Sequence, residues 1–244
     1  MFKIITVTSG KGGAGKSSVC AFLGQALAAA GYRTLLVELD CGLRCLDLML
    51  SLEKTPVFDL KDLLAGRCTP DQAAVTHSVQ GRLRLIPASQ DHQYALPENA
   101  FAQLMRWSAR QYDIVLLDAP AGLRVEAEIA ARHSHMGVLV TTPDLAAVRD
   151  CGRASQLLRR QGLSAQRLII NKVPPVLSQR QGLEDLDDVI DGTGVQLLGV
   201  VPQSEELSRA AALGQTLASG GLAARIFEAI AARIQGKTAE LLIS

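Results

Sequence analysis

The stretch Ser9–Ser18 reads SGKGGAGKSS, and its reading decides the fold. Gly10, Gly15, Lys16 and Ser17 satisfy the pattern G-x-x-x-x-G-K-[ST]. Immediately before it, FKIITVTS (Phe2–Ser9) is rich in β-branched residues and predicts a buried strand. Immediately after it, Lys16–Ala30 predicts a helix that Gly31 stops. A glycine turn between a strand and a helix can aim several backbone N–H groups at phosphate oxygens, and the helix N-terminus adds partial positive charge. Gly10, Lys11, Gly12, Gly13, Ala14, Gly15, Lys16, Ser17 and Ser18 are therefore the candidate phosphate contacts. Lys16 is expected on the β- and γ-phosphates of ATP (the β-phosphate in ADP), and Ser17 on Mg²⁺.

Working outward, apolar runs alternate with helical patterns to the end of the chain. RTLLVELD (Arg33–Asp40), RLRLIPAS (Arg82–Ser89), YDIVLLDAP (Tyr112–Pro120), MGVLVTT (Met136–Thr142), QRLIINKV (Gln166–Val173) and VQLLGVVP (Val195–Pro202) predict strands. Helices are expected over Phe58–Ala65, Glu98–Arg110, Val125–Arg132, from Pro143 to about Arg160, and over Leu222–Ile234. Strands separated by helices imply right-handed crossovers, hence an α/β fold: one P-loop NTPase domain with a mostly parallel sheet and helices on both faces. No linker divides the chain, so residues 1–236 read as one ATPase domain and residues 237–244 as a short tail. The irregular stretch Val173–Gly182 reads as a surface loop.

Composition narrows the function. The chain has 244 residues, 48% of them hydrophobic and 20% charged, as in an ordinary globular domain. A net charge of +1 gives no global attraction to nucleic acid, so a nucleic-acid partner is not expected. The basic pair in LLRRQG (Leu157–Gly162) reads as the solvated end of a helix. No apolar run reaches the length of a membrane span, and no secretory leader precedes the first strand. Five cysteines without a leader fit reduced thiols in the cytoplasm. Cys41 and Cys45 lack the second ligand pair of a structural zinc site, so they read as small, partly buried residues.

A phosphate loop needs one lysine, and this loop holds two. The run KGGAGKS (Lys11–Ser17) resembles the signature KGGxGK[ST] of the deviant Walker A ATPases, the MinD/ParA family. VELDCGLRCLDLMLSL, LIPASQ, DAPAG, TTPDLAAVRD and GVVPQSEEL are similar to later blocks of its MinD branch, in the same order. The resemblance implies an ATP-dependent homodimer in which Lys11 reaches the partner's nucleotide, as an arginine finger does. It implies that Asp40 positions the attacking water, and that Ser17, Glu38, Asp40 and Asp118 are the candidate residues around Mg²⁺, with Asp118 holding its shell. Gly122 would offer its N–H to the γ-phosphate. Asn171 with Lys172, and Pro202 with Gln203, would line the adenine pocket.

The chain also departs from the family pattern. Glu38 stands where that pattern has aspartate, at a position expected near Mg²⁺, and Cys45 stands where it has asparagine. The tail KTAELLIS lacks the basic amphipathic helix with which MinD proteins bind membranes, so only weak, peripheral contact with the inner face of the cell membrane is expected. The resemblance implies division-site positioning through an unidentified partner of the MinC or MinE kind. A ParA-like DNA- or cargo-positioning ATPase and a degenerate ATP-binding regulatory module are the alternatives.

Overall fold

The structure is a computed structural model and describes residues 2–41, 44–122, 124–175 and 185–242. The strands are β1 (Lys3–Thr8), β2 (Thr34–Glu38), β3 (Val75–Thr76), β4 (Leu83–Ile86), β5 (Ile114–Asp118), β6 (Met136–Thr141), β7 (Gln166–Val173) and β8 (Leu197–Pro202). They form one eight-stranded sheet in the order β3-β4-β2-β5-β1-β6-β7-β8. Every pairing is parallel except β3 with β4 at one edge. The phosphate-loop strand β1 is thus enclosed by neighbours, and five of its six residues are buried.

Alternation along the strands sends successive side chains to opposite faces. Ile5 and Val7 of β1 and Leu36 of β2 pack with α1 (Lys16–Ala29) and α10 (Leu222–Ile234). Ile4, Leu35, Val37, Val115 and Leu117 pack on the other face with α3 (Leu60–Leu64), α5 (Glu98–Gln111) and α6 (Val125–Arg132). A third cluster joins β6, β7 and β8 to α7 (Leu145–Arg160) and α8 (Leu186–Thr193). Burial on both faces is why the strands read as near-continuous apolar runs.

The predicted strands and long helices are present, with ends displaced by a few residues. Five short elements occur where none is predicted: α2 (Leu46–Met49), α4 (Pro70–Ala73), β3, α8 and α9 (Glu205–Leu213). Three of them begin at capped residues: Thr69 and Asp185 close capping boxes, and the Ser204 hydroxyl accepts from the N–H of Leu207 at 3.4 Å. Of the predicted loop Val173–Gly182, residues 176–182 lie outside the described residues. α10 ends just before Gly236, as expected, and the described part of the tail is packed. Leu241 and Leu242 pack against two different core clusters, and the Arg233 guanidinium donates to the carbonyl of Ala239 at 2.9 Å. Among the described residues no helix is long and apolar enough to cross a membrane.

Candidate functional site

The loop between β1 and α1 lies at the carboxyl end of the sheet, the edge where open α/β sheets bind ligands. Gly15 has φ 86°, a left-handed conformation that brings the chain into α1. A Cβ there would lie 2.3 Å from Nδ2 of Asn171. Gly10 is packed just as closely, since a Cβ would stand 2.2 Å from the backbone of Asp150 in α7. The Asn171 amide donates to the carbonyl of Ala14, and Lys172 Nζ donates to that of Gly13, both at 2.8 Å. Asn171 and Lys172, expected beside adenine, thus also tie the end of β7 to the loop.

Two contiguous cavities open there. One, of about 450 Å³, is lined by Gly12, Gly13, Gly15, Lys16, Ser17, Ser18, Asp40, Cys45 and Arg124, among others. The second, of about 210 Å³, shares Gly15, Ser18 and Lys172 with it and runs to Asn171, Pro202, Gln203, Phe22 and Phe227. A cavity edged by loop glycines and the Lys16 ammonium, joined to a pocket that ends at Phe22 and Phe227, suits a phosphate chain followed by a base.

Charge in the first cavity is concentrated around Lys16. Its ammonium donates to Asp40 Oδ2 at 2.8 Å and lies 3.8 Å from Asp118 Oδ1. Burial alone would pull the ammonium pKa down, but Asp118 and Asp40 outweigh it and hold that pKa above its usual value. Asp118 is fully buried at the end of β5, and neither carboxylate oxygen has a hydrogen-bond partner among the described residues. Burial pushes its pKa up to about 7, against the pull of Lys16. A buried carboxylate with unused lone pairs near the Ser17 hydroxyl fits a hydrated Mg²⁺, which would be held by Ser17 directly and by Asp118 through water.

Two expected residues are engaged elsewhere. Glu38 is fully buried; its Oε1 accepts from the N–H groups of Cys45 at 2.6 Å and Leu46 at 3.0 Å, and its Oε2 from that of Ala88 at 3.1 Å. That carboxylate caps α2 and pins the segment after β4. Gly122 donates its N–H to the Ser9 carbonyl at 2.9 Å, so in this state it closes onto the phosphate loop.

Lys11 does not line the phosphate cavity. Its ammonium, partly exposed, pairs with Asp144 Oδ1 at 3.0 Å. Asp144 caps α7 through the Ala147 N–H at 3.0 Å and accepts from the Thr142 hydroxyl at 2.6 Å. Burial works against it, but these hydrogen bonds and Lys11 keep its pKa below the ordinary carboxylate value.

Sequence reasoning passes over Arg124 and Asp144. Arg124 lines the cavity and lies 3.5 Å from Asp40 Oδ1, while its Nε lies 3.3 Å from Glu126. Asp40 is thereby held between two cations. The only signal for Arg124 is its place two residues after the DAPAG block. For Asp144 it is an acidic residue opening a helix after TTP.

Comparison with known proteins follows from this geometry. Residues 5–217 match the family described as the CobQ/CobB/MinD/ParA nucleotide binding domain. The septum site-determining protein MinD of Bacillus subtilis is 34% identical over 249 residues, covering 100% of this chain and 92% of that protein. The structure is similar to MinD in the MinC:MinD cell division protein complex of Aquifex aeolicus, with a TM-score of 0.89, 28% identity and 98% of both chains covered. It is also similar to MinD complexed with Mg-ADP from Pyrococcus horikoshii, with a TM-score of 0.84, 27% identity and 96% of both chains covered.

Proposed function

The chain belongs to the CobQ/CobB/MinD/ParA nucleotide-binding family, and from that premise we propose that it is an ATP-driven dimerisation switch of the MinD kind, acting in division-site positioning. The observation that carries the dimer is the placement of Lys11. A second signature lysine that turns away from its own phosphate cavity, tethered among the described residues by one partly exposed carboxylate, is available to a nucleotide on another subunit. Exposed pairs of this type contribute little, about 0–1 kcal/mol, so the tether yields readily to a phosphate.

In this reading Lys16 leaves Asp40 for the β- and γ-phosphates when ATP binds. Asp40, still beside Arg124, then places a water in line with the γ-phosphorus. The water oxygen forms a bond to phosphorus as the bond to the bridging oxygen breaks. Mg²⁺ would neutralise charge on the phosphate oxygens. ATP, rather than nucleotide in general, and Mg²⁺ dependence are part of the proposal. So are a cytoplasmic location and weak peripheral contact with the membrane. The Aquifex complex makes a MinC-like protein the partner to test first.

Light scattering with ATP and Mg²⁺, alongside phosphate release, tests this. The parent is expected to dimerise with ATP and not with ADP. Lys11→Ala is expected to bind ATP as the parent does yet stay monomeric and turn over slowly, because the lost contact exists only in the closed dimer. Dimerisation of Lys11→Ala equal to the parent's would overturn the trans role.

A further inference from the structure

Two of the positions at which this chain departs from the family pattern, Glu38 and Cys45, meet the buried Asp118 behind Cys45, which lines the phosphate cavity. One oxygen of each carboxylate and Sγ of Cys45 all lie within 4.8 Å of one another. The sheet makes this meeting rigid. Glu38 and Asp118 are register partners at the carboxyl ends of the adjacent parallel strands β2 and β5. Cys45 is fixed to Glu38 by its own backbone N–H, at 2.6 Å. We propose that Glu38, Cys45 and Asp118 bind a thiophilic divalent cation of the Zn²⁺ class.

Three observations support it. Asp118 is fully buried, and both of its oxygens are without hydrogen bonds among the described residues, so a buried carboxylate faces the trio with its lone pairs unused. Among the described residues Glu38 Oε2 accepts one backbone N–H, while Oε1 accepts two in holding α2 and the Cys45 thiol lies beside the carboxylate. The charge also balances. Glu38, Asp118, the Cys45 thiolate and the adjacent Asp40 carry four negative charges; a divalent ion, the Lys16 ammonium and the Arg124 guanidinium beside Asp40 compensate them. Lys16 is not displaced, because its hydrogen bond goes to Asp40. Bonds of about 2.0–2.3 Å in a tetrahedral site place ligand atoms roughly 3.5 Å apart, so side-chain rotation of Cys45 and Asp118 closes the site by about 1 Å.

On binding, the Cys45 S–H releases its proton to solvent as the sulfur–metal bond forms, so uptake is accompanied by acidification. The fourth position is left to water. The ion would link β2, β5 and the start of α2, immobilising the segment that carries Cys45. Asp118 cannot serve this ion and a hydrated Mg²⁺ at once, so the two exclude each other; only this consequence rests on the function proposed above.

The test is titration of the nucleotide-free full chain with Cd²⁺, read by the ultraviolet sulfur-to-cadmium charge-transfer band, and with Zn²⁺ by competition. One ion per chain is expected, with the band present. Cys45→Ser should lose the band and weaken Zn²⁺ binding by on the order of 100-fold. Cys68→Ser, which alters another partly exposed thiol, should keep both. If Cys45→Ser does not fold, Asp118→Asn decides: it keeps the thiol and removes a buried charge, and should weaken binding by a similar factor. No band in the parent, a band that persists in Cys45→Ser, or unchanged affinity in Asp118→Asn would overturn the site.

Discussion

Replacing Lys16 by methionine should destabilise the nucleotide-free protein, and by an amount that depends on pH. The ammonium serves two carboxylates at once, Asp40 at 2.8 Å and Asp118 at 3.8 Å. Methionine fills a similar volume and removes the charge. Asp40 then loses a charge-assisted hydrogen bond, worth about 1.5–3 kcal/mol, and keeps only Arg124. Asp118 behaves differently, because it can take up a proton. Its pKa is raised from the ordinary 3.8 to about 7, with Lys16 the largest influence keeping it from going higher. A raised carboxyl binds a proton in the folded state that the unfolded state releases, so its contribution to stability improves as pH falls through the folded pKa. In the parent that improvement starts near pH 7; in Lys16→Met, with the largest lowering influence gone, it starts at higher pH. Between pH 8 and pH 6 the variant therefore recovers more than the parent, by up to about 1.4 kcal/mol, one unit at 1.36 kcal/mol. The expected loss is about 3–4 kcal/mol at pH 8 and about 2 kcal/mol at pH 6. Urea unfolding at both pH values measures it, with Asp118→Asn as a second background in which the pH-dependent part should vanish. Equal losses at pH 8 and pH 6, or no loss at pH 8, would refute the coupling of Lys16 to a buried, near-neutral Asp118.

Asp40→Ala should bind ATP with parent-like affinity, release phosphate more slowly by about 100-fold or more, and accumulate as dimer on size exclusion, because water placement is lost while the phosphate contacts remain. Parent-like turnover would show that Asp40 serves only as a partner of Lys16. Gly15→Ala should cost about 2–4 kcal/mol in a denaturant titration and lower nucleotide affinity by over about tenfold in calorimetry, since φ 86° disfavours alanine and its Cβ would displace the Asn171 amide. Deleting residues 237–244 should lower stability by about 2 kcal/mol and leave nucleotide affinity unchanged, because Leu241, Leu242 and the Arg233–Ala239 contact are lost far from the cavity; a melting temperature equal to the parent's would mean the tail packing contributes nothing.

How much of this is legible in the sequence follows from range. The phosphate loop is a local object: one strand, a glycine turn, one lysine and a helix start lie within a few residues, and each has a compositional signal. The central strands are legible because burial on both faces demands apolar residues throughout. β3 is not, because two residues at a sheet edge carry no periodicity. α8 and α9 are short, and their evidence lies in their capping residues, Asp185 and Ser204, more than in apolar spacing. The site's electrostatics are the least legible part. Glu38 and Asp118 are eighty positions apart in the chain and become neighbours only because β2 pairs with β5 in one register. The contact between Lys11 and Asp144 likewise depends on β1 lying beside β6, which delivers the start of α7 next to the loop. Residue identity at 38 and 45 signals a departure from the family, but only the fold reveals that Glu38 holds the start of α2.

If the function proposed above holds, the ties from β7 to the phosphate loop bear on how ATP would be told from ADP. Asn171 and Lys172 fix the carbonyls of Ala14 and Gly13 before any nucleotide arrives. Much of the ordering cost of the cradle is therefore met during folding rather than during binding. A cradle already set accepts the α- and β-phosphates of either nucleotide, so it contributes affinity without discrimination. Under that proposal discrimination would fall to groups that change partners only for a γ-phosphate: Gly122 leaving Ser9 and Lys11 leaving Asp144. Tight binding and the reading of the third phosphate would reside in different halves of the pocket, and substitutions in one half should alter its property without the other.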